Sequence, residues 1–339
     1  MSAYRGGVAT LPIVDDGVPQ DLGSPRERGA APAASTTYDP RGPLDLGATL
    51  APLRHGPYDP TVALGPRGGW VALRTPHGTA TLRIEARDAV VHADAWGAGA
   101  EWAVASVPEL CGAGDDVSDF DAAAHPAVRE ARRRQPGLRL TRTSRVLDAL
   151  APAVLEQLIH SSEAHRAWRT LVRKHGVPAP GSGPDGPAPG GLMVAPDADG
   201  WRRVPVWDWR RAGISETRGA MIARAAAVAP ALERTLALGR GGPEASRRLR
   251  SLPGVGAWTA AETLQRAHGD PDAPSFGDLH VPAAVGWALT GSAVDDAGMA
   301  ELLVPWAGHR QRVVRLLLRA YGFPPRRAPR AAVPRHRRW

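Results

Sequence analysis

ASRRLRSLPGVGAWTAAETLQRA, Ala245–Ala267, reads as a helix, a short turn and a second helix, with Pro253, Gly254 and Gly256 inside the turn. Glycine lets the chain take positive φ and brings backbone N–H groups close to a ligand. The helix that follows opens with unpaired N–H groups and the positive end of its dipole. Together these features suit a phosphate. Such a site touches backbone, so it holds a duplex without reading base sequence. A turn between two helices is needed in any hairpin, so the glycines alone are equally compatible with a purely structural role. Asp278 stands 22 residues after Gly256, at the start of LHVPAAVGWAL. It is either a helix cap, whose removal costs about 1 kcal/mol, or a reagent.

The remainder of the chain narrows the chemistry. Its 339 residues carry 42 Lys+Arg against 34 Asp+Glu, a formal net charge of +8, which points towards a polyanion such as nucleic acid. Lys174 is the single lysine, so 41 of these cations are arginine. The lone Cys111 excludes an internal disulfide framework and any cluster built on several thiolates, which suits a reducing cytoplasm. No run approaches the ~18 apolar residues of a membrane span. There is no GxxxxGK[ST] loop and no metalloprotease spacing, so no nucleotide cofactor and no metal are expected. The expected protein is soluble, cytoplasmic and nucleoid-associated, and monomeric.

Composition shifts divide the chain. Residues 1–40 are rich in Gly, Pro, Ala and Ser and read as a flexible arm without packed structure. Residues 41–115 form an antiparallel β-rich part: Leu82, Ile84 and Ala86 alternate with Thr81, Arg83 and Glu85 in TATLRIEAR, and WVALRT and AVVHAD flank that run. Residues 116–323 are helical. There Val154, Leu155, Leu158, Ile159, Trp168, Leu171 and Val172 recur at three and four in one run that Gly176 stops. Residues 324–339, PPRRAPRAAVPRHRRW, read as a Pro-broken basic tail able to touch phosphate. The fold class expected is α+β, a sheet layer beside a helical domain.

LPGVGAWTA, the downstream Asp278, VLEQLI at Val154–Ile159 and PWAGHRQRVVRLLL at Pro305–Leu318 occur in the order found in the helix-hairpin-helix DNA glycosylase superfamily. The chain resembles in particular the bacterial 3-methyladenine DNA glycosylase II type, over most of residues 44–323. The resemblance implies a role for each residue. Leu252, Pro253, Gly254, Val255 and Gly256, with Thr259, form the phosphate-gripping hairpin, and Asp278 is the catalytic acid. Trp258, Glu262 and Leu279 line the base pocket. Leu158 is the wedge that fills the gap left by an extruded base, with Gln157 beside it. It implies duplex DNA with damaged bases as partner and no cofactor, with room for a monovalent cation at the hairpin.

Lyase members of the superfamily carry a lysine where this chain has Trp258, so the resemblance implies a monofunctional hydrolase of alkylated purines. Glu262 stands where a relative has an aromatic residue, which suggests contact with an exocyclic amine or a water. Taken apart from the resemblance, Leu158 and Trp258 are ordinary helix-face core residues, and His280 is a capping or solvated histidine. A binding protein that keeps the phosphate grip without turnover, recognising lesions or distorted DNA, is the alternative function.

Overall fold

Period-two alternation in TATLRIEAR, Thr79–Arg87, places Leu82 and Ile84 on one side of a strand, where both are fully buried. This strand is the centre of a sheet in the computed structural model, which describes residues 30–157 and 159–324. Five antiparallel strands, β1 (Ala34–Tyr38), β2 (Val62–Gly65), β3 (Gly68–Thr75), β4 (Gly78–Arg87) and β5 (Val90–Trp96), lie in the order β1-β5-β4-β3-β2. Leu82 stands opposite Val71 on β3 and Ala95 on β5, so apolar side chains meet across the ladder. The buried face packs on helices Leu46–Leu50, Ala100–Ala105 and Val107–Leu110, where Cys111 is also enclosed.

β1 corrects the expectation of a flexible arm through residue 40. The edge of β5 presents unpaired backbone groups, and ASTTY closes it in register from Ala34↔Ala95 to Tyr38↔Val91. Five residues amid Gly and Pro are too few to show a period. The arm before residue 30, and the tail from residue 325, lie outside the described residues.

The largest core belongs to the helical part. Helix Val146–Leu155, buried at every position except Asp148, packs on helix Ala257–Ala267, and helices Ser161–His175, Glu216–Ala227 and Pro243–Arg250 close around them. The helical run expected from Val154 to Gly176 is two helices, Val146–Leu155 and Ser161–His175. His160, in extended geometry, precedes the second helix. Between the helices, Glu156 and Gln157 spend their side chains on tertiary partners. A second helical cluster, Val281–Thr290, Asp296–Leu302 and Arg310–Tyr321, packs on Pro126–Arg134.

Among the described residues two ion pairs join the sheet part to this second cluster, an exposed one between Arg319 and Asp45 and a buried one between Arg312 and Asp115. Arg312 reaches Asp115 through Nη1 at 2.8 Å and Nη2 at 2.6 Å, with both side chains almost wholly buried. A buried pair is weak evidence of net stabilisation, but removing one partner strands a charge. No helix among the described residues is long and apolar enough to cross a membrane.

His268, fully buried at the end of helix Ala257–Ala267, has Thr235 Oγ1 3.1 Å from Nε2 and the Gly239 carbonyl 3.3 Å from Nδ1. Burial pulls its pKa down to about 4, so the folded state holds it neutral. The unfolded chain binds that proton near the ordinary histidine value, so stability falls as pH drops from about 6.5 towards about 4. The full window is worth about 3 kcal/mol at 1.36 kcal/mol per unit. Urea unfolding across this range should show the loss, and His268→Gln should flatten it.

Candidate active site

The turn predicted at Leu252–Gly256 joins helices Pro243–Arg250 and Ala257–Ala267. Its two glycines are there for different reasons. Gly254 has φ +94°, and a Cβ would strike the terminal methyl of Met221 from helix Glu216–Ala227. Gly256 has an ordinary extended backbone, φ −85° and ψ −174°, and a Cβ there would meet nothing within 4 Å. The left-handed backbone therefore favours glycine at 254, where the methyl end of Met221 would also have to shift, and neither constraint applies at 256. What Gly256 leaves open is access to the start of the next helix, which no side chain caps. Val255 turns inward to the core, Leu252 packs partly against it, and Pro253 and Gly254 are exposed.

Asp278 stands next to this helix rather than far along the chain from it. Its Oδ1 accepts the backbone N–H groups of His280, at 2.8 Å, and Val281, at 3.0 Å, and so caps helix Val281–Thr290. Its Oδ2 accepts the indole N–H of Trp258 at 3.1 Å. A carboxylate offers about four acceptor positions, so three are used and one remains, on the oxygen facing Trp258. The approach to Asp278 is held by a residue from a third segment: the Gly277 N–H is bonded by both carboxylate oxygens of Asp296, at 2.9 and 3.0 Å. Phe323, 59% exposed, places its ring 6.1 Å from that of His280 in an edge-on contact. Local sequence carries no signal for Asp296 or Phe323, since each acts across a tertiary contact.

The other expected site residues divide. Gln157 does approach the hairpin, but as a tie: its amide donates to Thr259 Oγ1 at 2.7 Å and to the Gly254 carbonyl at 3.2 Å. Both bonds stay inside the protein. Thr259 is buried, with its hydroxyl facing Gln157, so its side chain does not face a phosphate. Leu279 is 84% exposed and forms a rim rather than a pocket wall. Leu158 lies outside the described residues.

Glu262 is corrected from a substrate-facing acid to a structural one. Its carboxylate holds Arg266 Nη1 at 2.6 Å and accepts the hydroxyl of Ser275, and its side chain is largely buried. Arg266 in turn donates to the Pro52 carbonyl at 2.9 Å, joining the hairpin helix to the sheet part. Nearby, Glu156 takes a hydrogen bond of 3.2 Å from His55. Burial alone would raise the Glu156 pKa, but the His55 bond and the charges of Arg266, His55 and His165 outweigh it and hold it below the ordinary value. The residue immediately before Gln157 is thus anchored as a carboxylate.

A cavity between β2, β3 and the helical core is lined by Leu53, His55, Thr61, Trp168 and Arg266, among others. Neither Asp278 nor Trp258 is on its wall. The candidate site therefore lies not in this cavity but at the open surface of the hairpin.

No protein-family model and no curated protein matches the sequence. Solved structures do match the fold. A 3-methyladenine DNA glycosylase from Archaeoglobus fulgidus superposes with a TM-score of 0.68 at 18% identity, covering 84% of this chain and 99% of that one. The apo form of the 8-oxoguanine glycosylase/lyase of Clostridium acetobutylicum gives 0.60 at 13% identity, covering 84% and 95%. The same enzyme in complex with double-stranded DNA gives 0.55 at 14% identity, covering 74% and 88%. The fold is therefore that of the helix-hairpin-helix DNA glycosylases, in the α+β layout expected from the sequence.

The two glycines should separate on substitution. Gly254→Ala is expected to destabilise the protein by about 1–2 kcal/mol from the left-handed backbone alone, with the Met221 clash added. Gly256→Ala should stay within about 0.5 kcal/mol of wild type. Urea midpoints of the two variants check this contrast.

Proposed function

We propose that the protein is a monofunctional DNA glycosylase that hydrolyses the N-glycosidic bond of alkylated purines extruded from duplex DNA. The observation that carries the proposal is the placement of Asp278. Its carboxylate is fixed by three donors, has one acceptor position free, and stands beside a helix start that Gly256 leaves open. The fold shared with DNA glycosylases supports the same assignment.

The chemistry follows from that geometry. The open turn takes a backbone phosphate and delivers the adjoining nucleotide to Asp278. As the bond from the sugar C1′ to the base nitrogen lengthens, its electron pair leaves with the base and positive charge develops on the sugar. A fixed carboxylate stabilises that charge, and its free acceptor position orients the water that adds to C1′. The water's proton passes to solvent or to the departing base. An alkylated purine already carries positive charge and leaves without a strong general acid.

Trp258 acts through Asp278: its N–H keeps Oδ2 aimed. Lyase chemistry needs an amine at the reacting carbon. By the resemblance, Trp258 stands where lyase members carry lysine, and Lys174 lies in another helix. The two hydrogen bonds that Oδ1 accepts from the backbone N–H groups of His280 and Val281 also suit a second function, in which Asp278 is only a cap and the protein binds lesions without turnover.

Base release from methylated duplex DNA, with the base identified by chromatography and duplex affinity followed in parallel, separates the two. Release of 3-methyladenine or 7-methylguanine that falls roughly 10²–10³-fold in Asp278→Asn, with binding retained, is the expected result. Trp258→Phe should lower the rate roughly ten- to a hundredfold through misplacement of the acid, with little change in affinity. Borohydride should trap no covalent adduct. Tight binding without release of any methylated base would overturn the enzyme in favour of the binding protein.

A further inference from the structure

Trp207 is 64% exposed, in contrast to the three tryptophans nearest it in the fold. Trp168, Trp201 and Trp209 are buried in a row, with ring centroids 6.1 Å apart for the first pair and 6.0 Å for the second. The row already supplies the apolar packing of this corner, so Trp207 is not needed for the core. It lies on helix Val206–Ala212, and Arg210 and Arg211, three and four residues later, share its face. Both are exposed.

The surrounding cations are held up from below. The Asp208 carboxylate, only 3% exposed, binds Lys174 at 2.5 Å and lies 3.7 Å from Arg211. One buried carboxylate thus serves two permanent cations, Lys174 and Arg211, and leaves a net positive charge at this surface. Arg210 pairs with Glu216 at the start of the next helix. Arg173 and Arg203 are also exposed, at the ends of the two adjoining helices. Helix Ser161–His175 thus carries exposed Arg173 and Lys174, and helix Ala198–Arg203 carries exposed Arg203 together with Arg202, which pairs with Asp199.

We infer that this face is a second nucleic-acid site, which binds single-stranded DNA by stacking an unpaired base on Trp207 while the arginines and Lys174 take the flanking phosphates. An aromatic ring among cations is the arrangement that tracks a strand without sequence preference. A duplex does not fit it as well, because paired bases keep their ring faces stacked on one another. Chain geometry, at about 1.5 Å per helical residue and up to about 3.3 Å per connecting residue, bounds Trp207 to within roughly 30 Å of Met221 under Gly254. A strand leaving a duplex held at the hairpin is therefore long enough to reach it after a few nucleotides.

Fluorescence anisotropy of the full-length protein with a labelled twelve-residue oligothymidylate, and with a strand of equal length made only of base-free sugar phosphates, tests the site. The wild type should bind the thymidylate more tightly. Trp207→Ala should lose roughly five- to a hundredfold on the thymidylate. It should keep its affinity for the base-free strand and release bases from methylated duplex at the wild-type rate, and Trp207→Phe should recover most of the loss. Equal binding of the two strands by the wild type, or thymidylate binding unaltered in Trp207→Ala, would overturn the inference and leave a protein partner as the occupant of this face. A parallel loss on duplex and thymidylate in that variant would also overturn it, making Trp207 part of the duplex surface. These readouts need no catalysis, so a protein that released no base would sink the glycosylase and leave this site standing.

Discussion

Everything at the candidate site is referred to one element, helix Ala257–Ala267, and to its packing on helix Val146–Leu155. The first turn of that helix opens onto the free space at Gly256 and carries Trp258, whose indole N–H donates to Asp278. One residue further on, Thr259 receives Gln157. A turn later Glu262 and Arg266 tie the same helix to Ser275 and, through the Pro52 carbonyl, to the sheet part. The last residues accept backbone bonds from Thr143 and Ser144. A rigid cylinder bonded at its start, middle and end transmits position from the sheet part to the hairpin with little slack, which suits chemistry that depends on where one carboxylate oxygen points.

The sequence was legible where a single element carries its own signature. Three of the five strands, the helices around the hairpin and the glycine turn could be read from spacing, and Asp278 could be singled out at its helix start. What could not be read was decided by partners far away in the chain. β1 exists because β5 had an open edge, not because ASTTY is a strong strand. The run from Val154 to Gly176 keeps an apolar period across a break, since Leu155 and Trp168 both face the core from different helices. Gln157 looked like a DNA contact and is a tie, and Glu262 looked like a pocket acid and is neutralised by Arg266. In both cases a polar side chain found a partner that only the folded chain supplies.

The low identity to proteins of the same fold and the good superposition are compatible because different constraints act on different atoms. The hairpin needs a particular backbone path, and glycine is favoured by φ and by Met221 at one position and left free at the other. Asp278 needs donors, of which two come from the backbone of its own helix and one from an indole. Such a site survives wide replacement of the surrounding apolar residues, so long as volume and pattern persist.

The near-exclusive use of arginine has a consequence for how this molecule responds to acidity. A guanidinium keeps its proton throughout the range in which a protein stays folded. With 41 of 42 cations of this kind, the attraction towards phosphate is a constant background rather than an adjustable one. Changes with pH in the way the chain meets a polyanion then originate mainly in the eleven histidines and the carboxylates, a far smaller set to search than in a protein whose positive face is built from lysine.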